Sequence, residues 1–261
     1  MSIDSAAPGA ALGPAHGPSS LTCDLSRPLR YALIRRVIGR AMHWRYRLLQ
    51  RHRNETVVLE RVAGQPLLVL PGVLNPNLMR TGAFFAEQLG PDLIRDDAEV
   101  LDMGTGSGVC AVVAAKYARH VVAVDISPAA VRCASINALL NGRDDRIDVR
   151  AGDLFGSLAG RRFDVVLFNP PFIRARALDD ADRAWRSLDV AERFAAGLES
   201  HLTPTGFALL LLSTYGDAGQ YVRELQRHRF TVAPFAERAF VNEKLTLLTV
   251  RRAPPTGTTD D

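Results

Sequence analysis

The spacing of apolar residues changes character along the 261-residue chain. Residues 1–24 mix Ala, Gly, Pro and Ser with little periodicity and read as a disordered tail. Between Arg27 and Arg53 the apolar positions Leu29, Ile34, Val37, Ile38, Met42, Tyr46 and Leu49 recur at helical spacing. That pattern predicts one or two basic amphipathic helices. Two short apolar runs follow, Val57-Val58-Leu59 and Leu67-Leu68-Val69-Leu70, around Ala63-Gly64-Gln65-Pro66. They predict a β-hairpin. A loop over Pro71–Pro76 then leads to a helix through Phe84–Leu89.

After Asp96 apolar strands alternate with helical stretches. Strands are predicted at Glu99–Asp102, Val121–Asp125, Ile147–Val149, Phe163–Phe168, Phe207–Ser213, Phe230–Val232 and Leu245–Val250. Helices are predicted at Val109–Ala118, Pro128–Asn141, about Asp179–His201 and Ala218–His228. This alternation implies an α/β, Rossmann-like fold, with a mainly parallel sheet and helices on both faces. The chain divides into the tail at 1–24, a basic helical, hairpin and lead-in helix segment at 25–95, an α/β domain at 96–252, and a flexible tail at 253–261.

Composition adds exclusions. No run approaches the roughly 20 apolar residues that span a bilayer, and the N-terminus lacks a signal-peptide pattern. A cytoplasmic protein without membrane attachment is expected. Cys23, Cys110 and Cys133 lie far apart without metal-ligand spacing, so neither a disulfide framework nor a metal site is predicted. The net charge is only +4, but Leu25–Asn54 holds nine arginines and no acid. Such a cluster suits a phosphate-bearing surface, such as RNA or the ribosome, or simply a solvated helix face.

The first candidate motif joins a strand to a helix: Asp102-Met103-Gly104-Thr105-Gly106-Ser107-Gly108. Glycines there let the backbone turn tightly and approach a ligand, and ligands of such sheets bind beyond the strands' carboxyl ends. Asp125 ends the next strand, where these folds hold ribose hydroxyls, with Ile126 beside it. Asp153-Leu154 follows the third strand, where the carboxylate can accept from an adenine amino group. The loop reads GxGxG rather than the dinucleotide GxGxxG, and an acid at its entrance is a poor match for pyrophosphate. It suits a ligand with an ammonium and a sulfonium, which favours S-adenosylmethionine (SAM) over NAD.

The second motif, Asn169-Pro170-Pro171-Phe172, closes the fourth strand. The Asn169 amide oxygen and the Pro170 carbonyl are two acceptors that can grip both N–H bonds of a planar –NH2 group. Phe172 offers a face for stacking. Two prolines can also mean only a rigid loop. The chemistry they suit is methylation of a poorly nucleophilic nitrogen, where positioning is the main lever.

These residues together resemble class I SAM-dependent methyltransferases, in particular the methyltransferase-small superfamily. That superfamily includes release-factor glutamine methyltransferases and enzymes methylating adenine N6 or guanine N2 in RNA. The resemblance covers about Val57 to Arg252; Ser187–Val190, the hairpin and Asn75-Pro76 are similar to the release-factor branch. It implies a seven-stranded sheet with an antiparallel last strand, Asp125 on the ribose, Asp153-Leu154 at the adenine, and the loop after Leu101 around the methionine end. Cofactor contacts are thus expected from Asp102, Gly104, Thr105, Gly106, Gly108, Asp125, Ile126, Asp153, Leu154 and Asn169, and catalytic ones from Asn169, Pro170, Pro171 and Phe172. The implied acceptor is a protein glutamine or a nucleobase; a small metabolite, or a non-catalytic SAM-binding role, are the alternatives. Phe172 replaces the tyrosine usual in the glutamine branch, and Pro76–Gly82 lacks the acidic residues expected there.

Overall fold

A computed structural model of the chain describes residues 56–171, 188–241 and 243–254. The expected N-terminal tail, the basic helices, Phe172 and most of the C-terminal tail lie outside the described residues. So do residues 179–187 of the helix expected over Asp179–His201, whereas Leu188 and Asp189 are described and precede the helix, which begins at Val190.

The hairpin forms, with β1 (Val58–Val62) antiparallel to β2 (Gln65–Val69). Ala63 and Gly64 both have positive φ, 46° and 78°, which matches the right-handed twist of the two strands. Two helices follow, α1 (Pro76–Met79) and α2 (Thr81–Gln88), separated by Arg80 alone.

A seven-stranded sheet is built from β3 (Glu99–Met103), β4 (His120–Asp125), β5 (Ile147–Ala151), β6 (Phe163–Phe168), β7 (Leu202–Ser213), β8 (Phe230–Ala239) and β9 (Lys244–Arg252). Its order is β5-β4-β3-β6-β7-β9-β8. The pairings β3–β4, β4–β5, β3–β6 and β6–β7 are parallel, and β9, last in the chain, runs antiparallel to both neighbours.

The period of two along the strands feeds two apolar layers. Val100, Val121, Ala123, Val165, Leu167, Leu209 and Leu211 face one side, against the hairpin, α2 and α3 (Val109–Ala114). Leu101, Val122, Val124, Val166, Phe168, Leu210 and Leu212 face the other, against α5 (Val190–His201) and α6 (Ala218–Arg227). The helix α4 (Pro128–Leu140) starts at Ser127, whose hydroxyl accepts from the Ala130 N–H, with Pro128 in its first turn.

Three of the boundaries that differ from the sequence expectation have a physical reason in the fold. The helix α3 stops at Ala114, and the chain tightens into i→i+3 bonds from Lys116 to Val113 and from Tyr117 to Ala114. The strand β7 begins at Leu202 rather than Phe207: Phe163 pairs with Leu202 but Val165 with Phe207, so Thr203–Gly206 bulge out. The strand β8 continues past Val232 to Ala239, through Pro234. It is an edge strand, where a missing N–H is tolerated.

Candidate functional site

The chain steps outward from β3 to β5, then returns to β6 on the other side of β3. That reversal opens a crevice beyond the carboxyl ends of β3 and β6. Met103 pairs with Phe168 in register, so Gly104 and Asn169 are the next residues out on adjacent strands. Neighbouring strands lie about 4.8 Å apart, and a Cβ on Gly104 would sit 3.8 Å from the Phe168 ring. The two sequence motifs therefore share one end of the sheet.

The glycine loop is tied down from below. Gly104, Gly106 and Gly108 all have positive φ (66°, 56° and 81°). The N–H groups of Gly104 and Thr105 donate to the Val124 carbonyl at 2.8 and 3.0 Å. Gly108 is the tightest point: a Cβ there would lie 2.9 Å from the Ala134 Cα of α4.

Asp102 lies beneath this loop, only 4% exposed. Its Oδ2 accepts from the Thr105 hydroxyl at 2.6 Å and from the Ala111 N–H, in the first turn of α3, at 2.9 Å. Burial pushes its carboxyl up to about 7, against the pull of those two hydrogen bonds. The Thr105 hydroxyl is thereby engaged inward. Asp125, at the end of β4, accepts from the Gly106 N–H on one oxygen and the Ser127 N–H on the other, each at 2.9 Å. Burial raises its carboxyl as well, opposed by these backbone donors. Each oxygen keeps lone-pair capacity for a further donor. Ile126, next along, is exposed.

Asp153 follows β5, whose Ala151 pairs with Asp125, so both acids reach the same edge. Sequence reasoning missed its partner: Arg193 of α5 holds Asp153 at 2.8 Å. Leu154 adopts a positive φ of 50°, which turns the chain sharply after Asp153.

Asn169 and Pro170 emerge from β6, and Pro170 is buried. The Asn169 Nδ2 donates to the Thr81 hydroxyl at 3.3 Å. Its Oδ1 is buried and has no hydrogen-bond partner among the described residues. The Pro171 carbonyl accepts from the Tyr221 hydroxyl at 3.3 Å, which anchors the second proline to α6. Burial raises the Tyr221 phenol, so it stays a donor.

Asn137, fully buried in α4, was not anticipated either. Its Oδ1 accepts from the Leu68 N–H at 2.7 Å, and its Nδ2 donates to the carbonyls of Leu68 and Ser107, both at 2.8 Å. One side chain thus links the hairpin, α4 and the glycine loop. Nothing in its sequence neighbourhood distinguishes it from an exposed helical Asn.

Comparison with known proteins agrees with this fold. Residues 68–228 match the model of the methyltransferase small domain. A release factor glutamine methyltransferase from Koribacter versatilis is 34% identical over 164 residues, 56% of this chain and 57% of that protein. One from Cereibacter sphaeroides is 38% identical over 128 residues, 43% and 46% of the two chains. A ribosomal RNA small subunit methyltransferase C from Alcanivorax borkumensis is 34% identical over 155 residues, 59% and 44%. The chain spans about half the length of the curated relatives it matches. Among solved structures, the T. thermophilus 16S rRNA N2 G1207 methyltransferase, in complex with AdoMet and guanosine, superposes with a TM-score of 0.56. That match is at 24% identity over 76% of this chain and 50% of the other. Because the family match covers well over half of the chain, from the hairpin through α6, this protein belongs to the methyltransferase small domain family.

Proposed function

We propose that the protein is a SAM-dependent N-methyltransferase acting on a planar –NH2 group, either a protein glutamine amide or an exocyclic amine of a nucleobase. The observation that carries this reading is the buried, unpartnered Oδ1 of Asn169 on the strand next to the glycine loop. A buried acceptor without a donor costs stability. Such a cost is understandable at a place where a ligand supplies the donor.

The residues around the crevice suit SAM. The positive-φ glycines permit close backbone approach. Asp125 has spare acceptor capacity for two ribose hydroxyls, and Asp102 fixes the loop from beneath through the Thr105 hydroxyl and the Ala111 N–H. Asp153 and Leu154 are assigned to the adenine end. When bound, SAM supplies an electrophilic methyl group.

The chain's own task is orientation. The Asn169 Oδ1 and the Pro170 carbonyl accept the two N–H bonds of the acceptor. This turns the nitrogen lone pair out of the grip and towards the methyl. As the nitrogen becomes positive, both acceptors hold it more strongly, so they stabilise the transition state more than the ground state. Correct orientation of this kind is worth up to about 7–11 kcal/mol in favourable cases. The N–H proton becomes acidic only after the new N–C bond forms, and it can then leave to water.

The glutamine and RNA methyltransferases among the relatives share this planar –NH2 chemistry. Incubating the purified protein with methyl-labelled SAM and a cell extract tests the reading. Label in protein or nucleic acid is expected. Label confined to small metabolites would move the acceptor class, and SAM binding without any transfer would make the protein a non-catalytic binder.

A further inference from the structure

We infer that Thr81 is a positioning residue: its hydroxyl accepts from the Asn169 Nδ2 and so holds the amide plane where the Oδ1 meets the methyl acceptor. This rests on the methyltransferase reading above. An asparagine amide is nearly symmetric in shape, and the two ends differ only in hydrogen-bonding character. A grip on an –NH2 group works only if the oxygen faces it. An amide turned over would present N–H to N–H and repel the acceptor. A neighbour that holds the amide plane in place on the Nδ2 side therefore serves the grip, although a hydroxyl, able to accept or donate, fixes the position of that plane rather than its sense. Thr81 supplies that contact, at 3.3 Å, from a position only 7% exposed.

The backbone around Thr81 shows how it is delivered. Arg80, just before it, has φ 62°, in the left-handed region that side chains with a Cβ rarely adopt. Only this one residue separates α1 from α2, so the abrupt turn at Arg80 sets where α2 and its first residue begin. The Arg80 side chain is itself held: its guanidinium lies over the Phe240 ring at 4.7 Å, and burial raises the Glu243 carboxyl, opposed by the Ser213 hydrogen bond and by the Arg80 charge. Glu243 in turn accepts from Ser213, at the end of β7, at 2.5 Å. Strain concentrated at one residue and clamped from the side is typical of positions that serve a site. Here it ties the residue before Thr81 to the loop between β8 and β9 through Phe240. Thr81 touches no reacting atom; it acts through Asn169.

The test compares the full-length protein with Thr81→Val, which keeps shape and loses the hydroxyl, and Thr81→Ser, which keeps the hydroxyl. Two readouts are needed. The first is solvent exchange of the Asn169 side-chain amide protons, followed by NMR with 15N-asparagine labelling. Slow exchange is expected in the unaltered protein and in T81S, and at least tenfold faster exchange in T81V. The second is transfer from methyl-labelled SAM to the extract fraction that the unaltered protein labels. There kcat is expected to fall about a hundredfold in T81V and to recover in T81S, with SAM affinity by calorimetry unchanged in both. Equal amide exchange in T81V and the unaltered protein would overturn the inference, and so would full turnover in T81V. If no fraction is labelled by the unaltered protein, the proposed function fails, while the exchange comparison still decides whether Thr81 holds the amide. Should T81V fail to bind SAM or to fold, Thr81→Ala is measured in the same way.

Discussion

The carboxylate of Asp125 accepts the backbone N–H of Gly106 at 2.9 Å, so the acid assigned to the ribose also holds the middle of the glycine loop. Its removal takes away both a ligand acceptor and a loop anchor. Asp125→Ala is expected to weaken SAM binding by about tenfold to a hundredfold, the value of one or two charge-assisted hydrogen bonds. Calorimetry checks this, and an affinity within twofold of the unaltered protein would contradict the assignment.

Asp102 predicts a pH dependence of stability. Its folded pKa of about 7 lies above the ordinary carboxylate value of 3.8, because burial disfavours the charge. Between those two values the folded state holds a proton that the unfolded chain has released. Stability from this group is therefore highest below about pH 4 and declines as pH rises towards 7. Asp102→Asn keeps an oxygen for Thr105 and Ala111 and removes the titration. Urea midpoints measured from pH 5 to 8 should fall less steeply in D102N than in the unaltered protein. Parallel curves would show that Asp102 is charged throughout.

Gly108 is expected to resist substitution. A Cβ there meets the α4 backbone at 2.9 Å and must sit at φ 81°. Overpacking costs about 1–3 kcal/mol and the left-handed backbone about 1–2 more. Gly108→Ala should lower unfolding free energy by about 2–5 kcal/mol, read by denaturant unfolding. A loss below about 0.5 kcal/mol would show that α3 and α4 separate easily.

Asn137→Ala strips partners from the Leu68 N–H and from the Leu68 and Ser107 carbonyls at once. A destabilisation of about 2–4 kcal/mol is expected. Hydrogen exchange should quicken in the hairpin and in the glycine loop together, since the same side chain serves both.

Much of this arrangement is readable from the chain. The short uninterrupted apolar runs Val121–Val124 and Val165–Phe168 give central strands buried on both faces, and Ala63-Gly64 gives the hairpin turn, because each depends on local sterics. The glycine loop, Asp125 and Asn169 are readable because their order along the chain matches the order of strand ends. What fails to show is contact between distant segments. Thr81 lies 88 residues from Asn169, and Asn137 lies 69 from Leu68. No periodicity records such pairs. Arg193 reads as one charge on a helix face until the fold brings it to Asp153. The apolar pattern marks β8 only over Phe230–Val232, and the strand continues through Pro234 because its edge position makes the missing N–H acceptable.

The most direct measurement is single-turnover transfer from methyl-labelled SAM by the Asn169→Ala variant, alongside calorimetry of SAM binding. Loss of an oriented acceptor should cut the transfer rate by about a hundredfold to a thousandfold, with SAM affinity changed by less than threefold. Transfer at the unaltered rate would contradict the claim that the turn after β6 holds the methyl acceptor.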